Sequence, residues 1–229
     1  MKRYIIFYIL CALACTNCGE RVYIYDEENN YFGKPLEGCI QENISQIYYT
    51  TSDNQKIDID STDFNALIIS HTYTNGQWVI VFSNPITSIG ERAFYDCTSL
   101  TSVTIPDSVT SIGFAAFEGC TSLTSVRIPN SVTSIEYSAF NSCTSLKSIT
   151  IPDSVTSIGW STFYGCTSLK SVYCKATTPP TEGSYIFSYF NNGYKPIGCK
   201  IYVPRNSVEA YKSADGWKEY ADYIVGYDF

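Results

Sequence analysis

One histidine, His71, and one methionine, Met1, occur in 229 residues, and only 16% of the residues are charged. A single imidazole leaves little acid–base chemistry near neutral pH. A basic excess is missing too. The formal charge is −7, distributed as +2 over residues 1–18, −7 over 19–85, and −1 each over 86–178 and 179–229. With no basic face to neutralise phosphates, nucleic acid is not an expected partner. The chain contains no G-x-S-x-G, Walker loop, G-x-G-x-x-G or metalloprotease motif, and no pairing of carboxylates that would suggest a glycosidase. No catalytic residue, metal or cofactor is therefore expected, and the protein is read as a non-enzyme. What remains is contact-making material. Hydrophobic residues make up 45%, and twenty tyrosines are present. That is enough for one substantial core, and it excludes intrinsic disorder.

The first eighteen residues have the layout of an export signal. Lys2 and Arg3 precede an apolar run from Tyr4 to Ala14, followed by small residues and cysteine. Eleven apolar residues are too few to span a bilayer. The stretch Cys11-Ala12-Leu13-Ala14-Cys15 resembles a bacterial lipobox, which makes Cys15 the first choice for lipidation, with Cys18 the alternative before Gly19-Glu20. The expectation is a cell-surface protein lipid-anchored to the outer membrane, or otherwise a secreted one. Residues 19–45, acidic and without periodicity, read as a tether or loosely attached segment.

From residue 86 the chain repeats itself every 23 residues. Ile89, Ile112, Ile135 and Ile158 mark the step, and Phe94, Phe117, Phe140 and Phe163 follow it. So do Cys97, Cys120, Cys143 and Cys166, then Leu100, Leu123, Leu146 and Leu169. Four copies fill 86–178. Within a copy, Val126 and Ile128 lie two apart on a short strand and point inward, while Ser125 and Arg127 point outward. Pro106, Pro129 and Pro152 end the strands, since proline offers no N–H to a ladder. Asp107, Asn130 and Asp153, each followed by serine, and the Cys-Thr-Ser steps before the next strand are expected to supply side-chain acceptors for turn N–H groups. Gly90, Gly113 and Gly159 are matched by Glu136 in the third copy, so a glycine-only backbone is not expected there. This pattern predicts a leucine-rich repeat solenoid with short parallel strands and irregular turns, its phenylalanines stacked about 5 Å apart in a continuous buried spine.

Such a rod needs covers at both ends. Residues 46–85 read as a small β cap, with a hairpin at Thr74-Asn75-Gly76. Residues 179–229 read as a C-terminal β/α cap, with a strand at Lys200 to Val203, a capping box at Asn206-x-x-Glu209 and short helical turns from Tyr211 to Tyr220. Cys39, Cys174 and Cys199 fall outside the ladder, and Cys174 and Cys199 are read either as a disulfide or as two buried thiols. The ladder thiols are read as small buried groups, and His71 as an ordinary β-surface residue.

The unit Leu-x-x-Val-x-Ile-Pro-x-x-Val-x-x-Ile-x-x-x-Ala-Phe-x-x-Cys and the closing run Ile201 to Tyr211 resemble the BspA-like, Treponema-type leucine-rich repeat proteins over residues 86–229. Glu136, Thr162 and Lys175 depart from the pattern. The resemblance implies a surface-displayed protein that adheres to host or matrix proteins or to neighbouring cells, and it brings no catalytic residue to transfer.

Positions that differ between copies are free of packing duty. After the isoleucine step come Glu91, Phe114, Tyr137 and Trp160; on the strand face come Thr104, Arg127, Thr150 and Tyr173, with Lys147 and Lys170 opening two strands. Phe114, Tyr137, Trp160, Arg127, Tyr173, Lys147 and Lys170 are the candidate ligand-binding residues, read as a stacked aromatic stripe rimmed by Arg and Tyr. The expected protein is a monomer that binds a host or matrix protein or a neighbouring cell as an adhesin. Capture of a surface glycan, or a purely structural envelope role, are the alternatives.

Overall fold

Each coil of the chain makes two short strands with a proline-terminated turn between them, and like strands of successive coils pair in parallel. The computed structural model describes residues 45–59, 61–182, 186–187 and 198–229. The export signal with Cys15 and Cys18, and the acidic stretch with Cys39 up to residue 44, lie outside the described residues. Ser45–Phe229 forms one compact unit.

In chain order the described strands are β1 (Gln46–Thr51), β2 (Ile68–Thr74), β3 (Gln77–Phe82), β4 (Ser88–Ile89), β5 (Leu100–Thr104), β6 (Ser111–Ile112), β7 (Ser125–Arg127), β8 (Ser134–Ile135), β9 (Ser148–Ile151), β10 (Ser157–Ile158), β11 (Ser171–Cys174), β12 (Thr181–Glu182), β13 (Lys200–Pro204) and β14 (Ile224–Tyr227), with helix α1 (Val208–Ser213) before the last. The odd-numbered repeat strands form one face, whose ladder is interrupted between β7 and β9; the second face runs unbroken as β4-β6-β8-β10-β12. Pairings such as Val103↔Val126 and Ile112↔Ile135 step by 23 residues, which sets like-numbered side chains on top of one another.

Between the faces lies the phenylalanine spine. Phe94–Phe117, Phe117–Phe140 and Phe140–Phe163 stack at 5.0, 5.2 and 5.6 Å with planes within 8° of parallel. A fifth ring, Phe187, continues the column at 5.6 Å beyond Phe163. Tyr49 and Phe64 close the N-terminal end by meeting Phe94 edge-on, and Trp217 and Tyr220 close the other end against Phe187. The ladder thiols serve this column. Cys120, Cys143 and Cys166 approach the carbonyls of Phe94, Phe117 and Phe140 at 3.0, 3.2 and 3.1 Å, each donating across 26 residues.

The expectation of side-chain acceptors is corrected. Ser108, Ser131 and Ser154 donate to the carbonyls of Ile86, Val109 and Val132, and Thr110, Thr133, Thr156 and Thr181 donate to the threonine one coil earlier. Turn N–H groups are already taken by backbone carbonyls, as in Val109 to Pro106 and Thr110 to Thr87, so the hydroxyls use the spare acceptor capacity of the carbonyls instead. The solenoid is thus tied by polar ladders as well as by apolar burial.

Backbone strain also recurs with the repeat. Arg92, Ala115, Ser138 and Ser161 have φ between 52 and 57°, and Asp96, Gly119, Ser142 and Gly165 are also left-handed. Gly90, Gly113 and Gly159 are not, and their role is close approach: a Cβ on Gly159 would lie 2.3 Å from the Tyr137 nitrogen, and one on Gly90 1.8 Å from the Asp63 carbonyl oxygen. Glu136 makes the same inter-coil bond as Gly113 and Gly159, so the position itself accepts a side chain.

At the N-terminal end the hairpin turns through Asn75 and Gly76, both at positive φ, as its sequence demands. Strand β1 then pairs antiparallel with β5, extending the repeat face into β3 and β2. At the other end β13 and β14 continue the parallel face past β11. The expected capping box does not form. Pro204 leads into a 3-10 turn at Arg205–Ser207, and α1 starts after Ser207 without a side-chain cap.

Cys174 and Cys199 are both buried, and no disulfide joins them. Their separation follows from register. Val172 pairs with Ile201, so Cys174 stands opposite Val203, four residues beyond Cys199, about 13 Å along the strand and beyond disulfide reach.

Candidate functional site

Phe114, Tyr137 and Trp160 each follow a strand of the second face by two residues, which projects them from the rod at equivalent points of three coils. Phe114 and Tyr137 stack at 5.4 Å with planes 5° apart, and the Arg92 guanidinium sits 5.2 Å from the Phe114 ring centre, closing the upstream end of the column. Exposure rises along it. Phe114 is half-buried, Tyr137 is 47% exposed and Trp160 56%. At the foot of Trp160 a shallow depression of about 250 Å³ is lined by Glu136, Ser157, Gly159 and Thr181 among others.

Arg127 and Tyr173 stand elsewhere. They project from β7 and β11 on the other face, so the aromatic stripe and its expected rim of Arg and Tyr are two separate groups. The reason is spacing within the coil: residue 114 follows the second strand of one copy, whereas 127 lies on the first strand of the next. Arg127 is also engaged, pairing with Asp107 of the preceding coil at 3.2 Å, both side chains well exposed. Such an exposed pair stabilises weakly and can be redirected by a ligand. Lys147 and Lys170 are exposed neighbours at the entrance to β9 and β11, where the Lys170 N–H donates to the Lys147 carbonyl at 2.9 Å.

Beyond the expected residues, the first face carries an aromatic group that only folding brings together. Tyr173 stacks on Tyr202 at 4.8 Å, Tyr227 meets both edge-on at 5.6 and 5.5 Å, and Phe229 packs on Tyr227 at 5.1 Å. The sequence signal available was the strand parity that aligns Lys200 to Val203 with Ser171 to Cys174.

No group here is set up for acid–base work. Burial pushes the Cys97 thiol up to about 12 and Cys199 to about 11, and raises Cys120 as well. His71 is drawn inward, contrary to expectation. Its Nε2 lies 2.6 Å from the Tyr49 hydroxyl, and burial lowers its pKa to about 4. Because the Ile57 N–H donates to that same hydroxyl at 3.1 Å, the Tyr49 proton is free to point at a neutral imidazole. Among the described residues no cluster of His, Cys, Asp or Glu could hold a metal ion, and no helix is long and apolar enough to cross a membrane.

A family model described as the BspA type leucine rich repeat region (6 copies) matches residues 70–192, more than half of the chain. Among solved structures, a leucine rich repeat protein of T. pallidum is 29% identical over 62% of this chain and 64% of its own, with a TM-score of 0.49. This chain therefore spans less than two thirds of that protein's length. One from Bacteroides capillosus is 41% identical over 47% of this chain and 73% of its own, TM-score 0.37. A leucine rich cell surface protein of Faecalibacterium prausnitzii is 25% identical over 55% of this chain and 48% of its own, TM-score 0.35. No curated protein matches the chain.

Proposed function

The chain belongs to the BspA-type leucine-rich repeat family, and from that premise we propose that it is a non-enzymatic bacterial surface protein that binds a host or matrix protein, or a neighbouring cell, in the manner of an adhesin. One observation carries the reading: Tyr137 and Trp160 stand 47% and 56% exposed on consecutive coils, at positions the scaffold leaves free to vary. Large aromatic rings held on a rigid array can anchor a partner with little loss of side-chain entropy. The basic and apolar residues from Lys2 to Ala14, with Cys15 and Cys18 beyond them, support export and an N-terminal lipid anchor on the outer membrane.

Replacing Phe114, Tyr137 and Trp160 together by serine tests the site. The variant should keep its circular dichroism and lose attachment to whichever immobilised matrix protein or cell type retains the parent. Undiminished attachment, or a parent that retains no partner at micromolar concentration, would overturn the adhesive reading, the latter in favour of a structural envelope role. Intact mass of the mature protein reads the anchor, since acylation at Cys15 or Cys18 removes the preceding residues and adds lipid.

A further inference from the structure

Tyr173 has one covered face and one open face, and its neighbours decide which. On one side the ring rests on Tyr202, its partner across paired strands, at 4.8 Å. On the other side its partner is Thr150, which carries only a methyl and a hydroxyl. The small threonine leaves that side of the ring uncovered, over a depression of about 310 Å³ lined by Thr150, Tyr173, Lys175, Tyr227, Asp228 and Phe229. Arg127, the next residue along the row, is held toward Asp107 of the preceding coil. Lys175 stands where three earlier copies have proline, so this coil alone replaces a buried or half-buried ring with an exposed donor.

Asp228 is a positioned acceptor. Arg205 grips both carboxylate oxygens, Nε to Oδ1 at 3.0 Å and Nη2 to Oδ2 at 2.7 Å. Such a bidentate pair fixes the plane of the carboxylate and still leaves lone pairs for another donor. The depression thus combines a flat apolar floor with an oriented acceptor, a cationic donor and the Thr150 hydroxyl.

We propose that this depression is a subsite for a neutral pyranose ring of a glycan, stacked by its C–H face on Tyr173 and hydrogen-bonded through its hydroxyls to Asp228, Lys175 and Thr150. A hydrocarbon side chain would match the tyrosine, leave the Lys175 ammonium desolvated without a partner and use none of the acceptor capacity of Asp228. A polyhydroxylated ring satisfies both halves. An acidic sugar would set its own carboxylate against that of Asp228, the acceptor the depression presents. The proposal goes beyond the adhesive reading and does not depend on it, since the site lies on the other face from Phe114, Tyr137 and Trp160.

Titration calorimetry of the full chain with tetrasaccharides of glucose, galactose and mannose, and with sialyllactose as the acidic probe, tests it. A single open subsite should saturate with at least one neutral tetrasaccharide at a Kd of roughly 0.1 to 5 mM. Tyr173→Ala should weaken that binding by about tenfold or more. Thr150→Phe guards against misfolding as the cause, because it adds a ring on an exposed strand position, favours β structure and fills the slot; it should abolish binding with the circular dichroism unchanged. Trp160→Ser should bind as the parent does, which separates this site from the adhesive surface. Failure of every neutral probe to saturate by about 20 mM, preference for sialyllactose, or full binding by a folded Thr150→Phe variant would each overturn the proposal.

Discussion

Two columns of aromatic rings climb this molecule at the same 23-residue step, one between the two strand faces and one outside them. Inside, the ring is phenylalanine at every rung from Phe94 to Phe163; outside, it changes from Phe114 to Tyr137 to Trp160. Where outer rings stack, their geometry matches the inner column: Phe114–Tyr137 lies at 5.4 Å and 5°, Phe117–Phe140 at 5.2 Å and 3°. Burial tells the columns apart. The inner rings are at most 1% exposed, whereas Tyr137 and Trp160 are about half exposed. A buried ring has a volume to fill and thus one permitted shape; an exposed ring has a neighbour on one side only, so its identity is free for other uses.

The comparison breaks most readily at the inner column. Phe117→Ala and Phe140→Ala should each cost about 3–5 kcal/mol, because the stack on either side prevents collapse of the cavity. Chemical denaturation reads this directly, and an unshifted midpoint for either variant would mean the column contributes no stability.

The inner column was legible because its cause is local and repeated: each ring arrives 23 residues after the last with Cys three positions on. Phe187 escaped that reading since it follows Phe163 by 24 residues, and Phe190 stands where cysteine should be. The left-handed positions escaped for another reason. Arg92, Ala115, Ser138 and Ser161 carry no glycine to mark them, and at the first three an inter-coil backbone bond from the residue's own N–H holds the conformation instead. At the candidate site the sequence located the varying residues and not their faces. Tyr173–Tyr202 was signalled by strand parity alone and Tyr227 by nothing, because the pairing of β11 with β13 and of β13 with β14 leaves the repeat and depends on how the C-terminal cap returns to the sheet.

A smaller loss should follow from removing a thiol that serves the inner column. Cys143 is fully buried and donates to the Phe117 carbonyl at 3.2 Å. Cys143→Ala leaves a void of one sulfur and an unmatched acceptor lone pair, for about 1–2 kcal/mol. The raised pKa values add a chemical readout. Iodoacetamide at pH 8 should leave Cys120 and Cys143 unmodified in the native protein and modify both in denaturant, as peptide mass mapping would show.

The N-terminal end of the inner column gives a pH-dependent test. Tyr49 meets Phe94 edge-on and is held by His71, whose pKa falls from 6.5 to about 4 on folding. Protonation is disfavoured in the folded state, so this stabilisation is complete above pH 6.5 and is lost as pH falls toward 4. A proton on Nε2 would also displace the one donated by Tyr49. Thermal melts between pH 7 and 4 should therefore fall less steeply for His71→Gln than for the parent. Parallel curves would show that the histidine does not report on this end of the column.

The smallest stability effect belongs to the outer column, and it is the sharpest test of the contrast. Trp160→Ser and Tyr137→Ser remove rings as large as those inside, yet about half of each ring's surface is already in water. Area bookkeeping leaves roughly 1 kcal/mol or less for either change, against several for an inner phenylalanine. Tyr137→Ser should cost more than Trp160→Ser, because Tyr137 covers one face of Phe114 and its loss would expose that ring. Should Trp160→Ser lower the denaturation midpoint as far as Phe140→Ala does, the outer rings would be scaffold, and the case for a binding surface at Trp160 would go with the distinction between the columns.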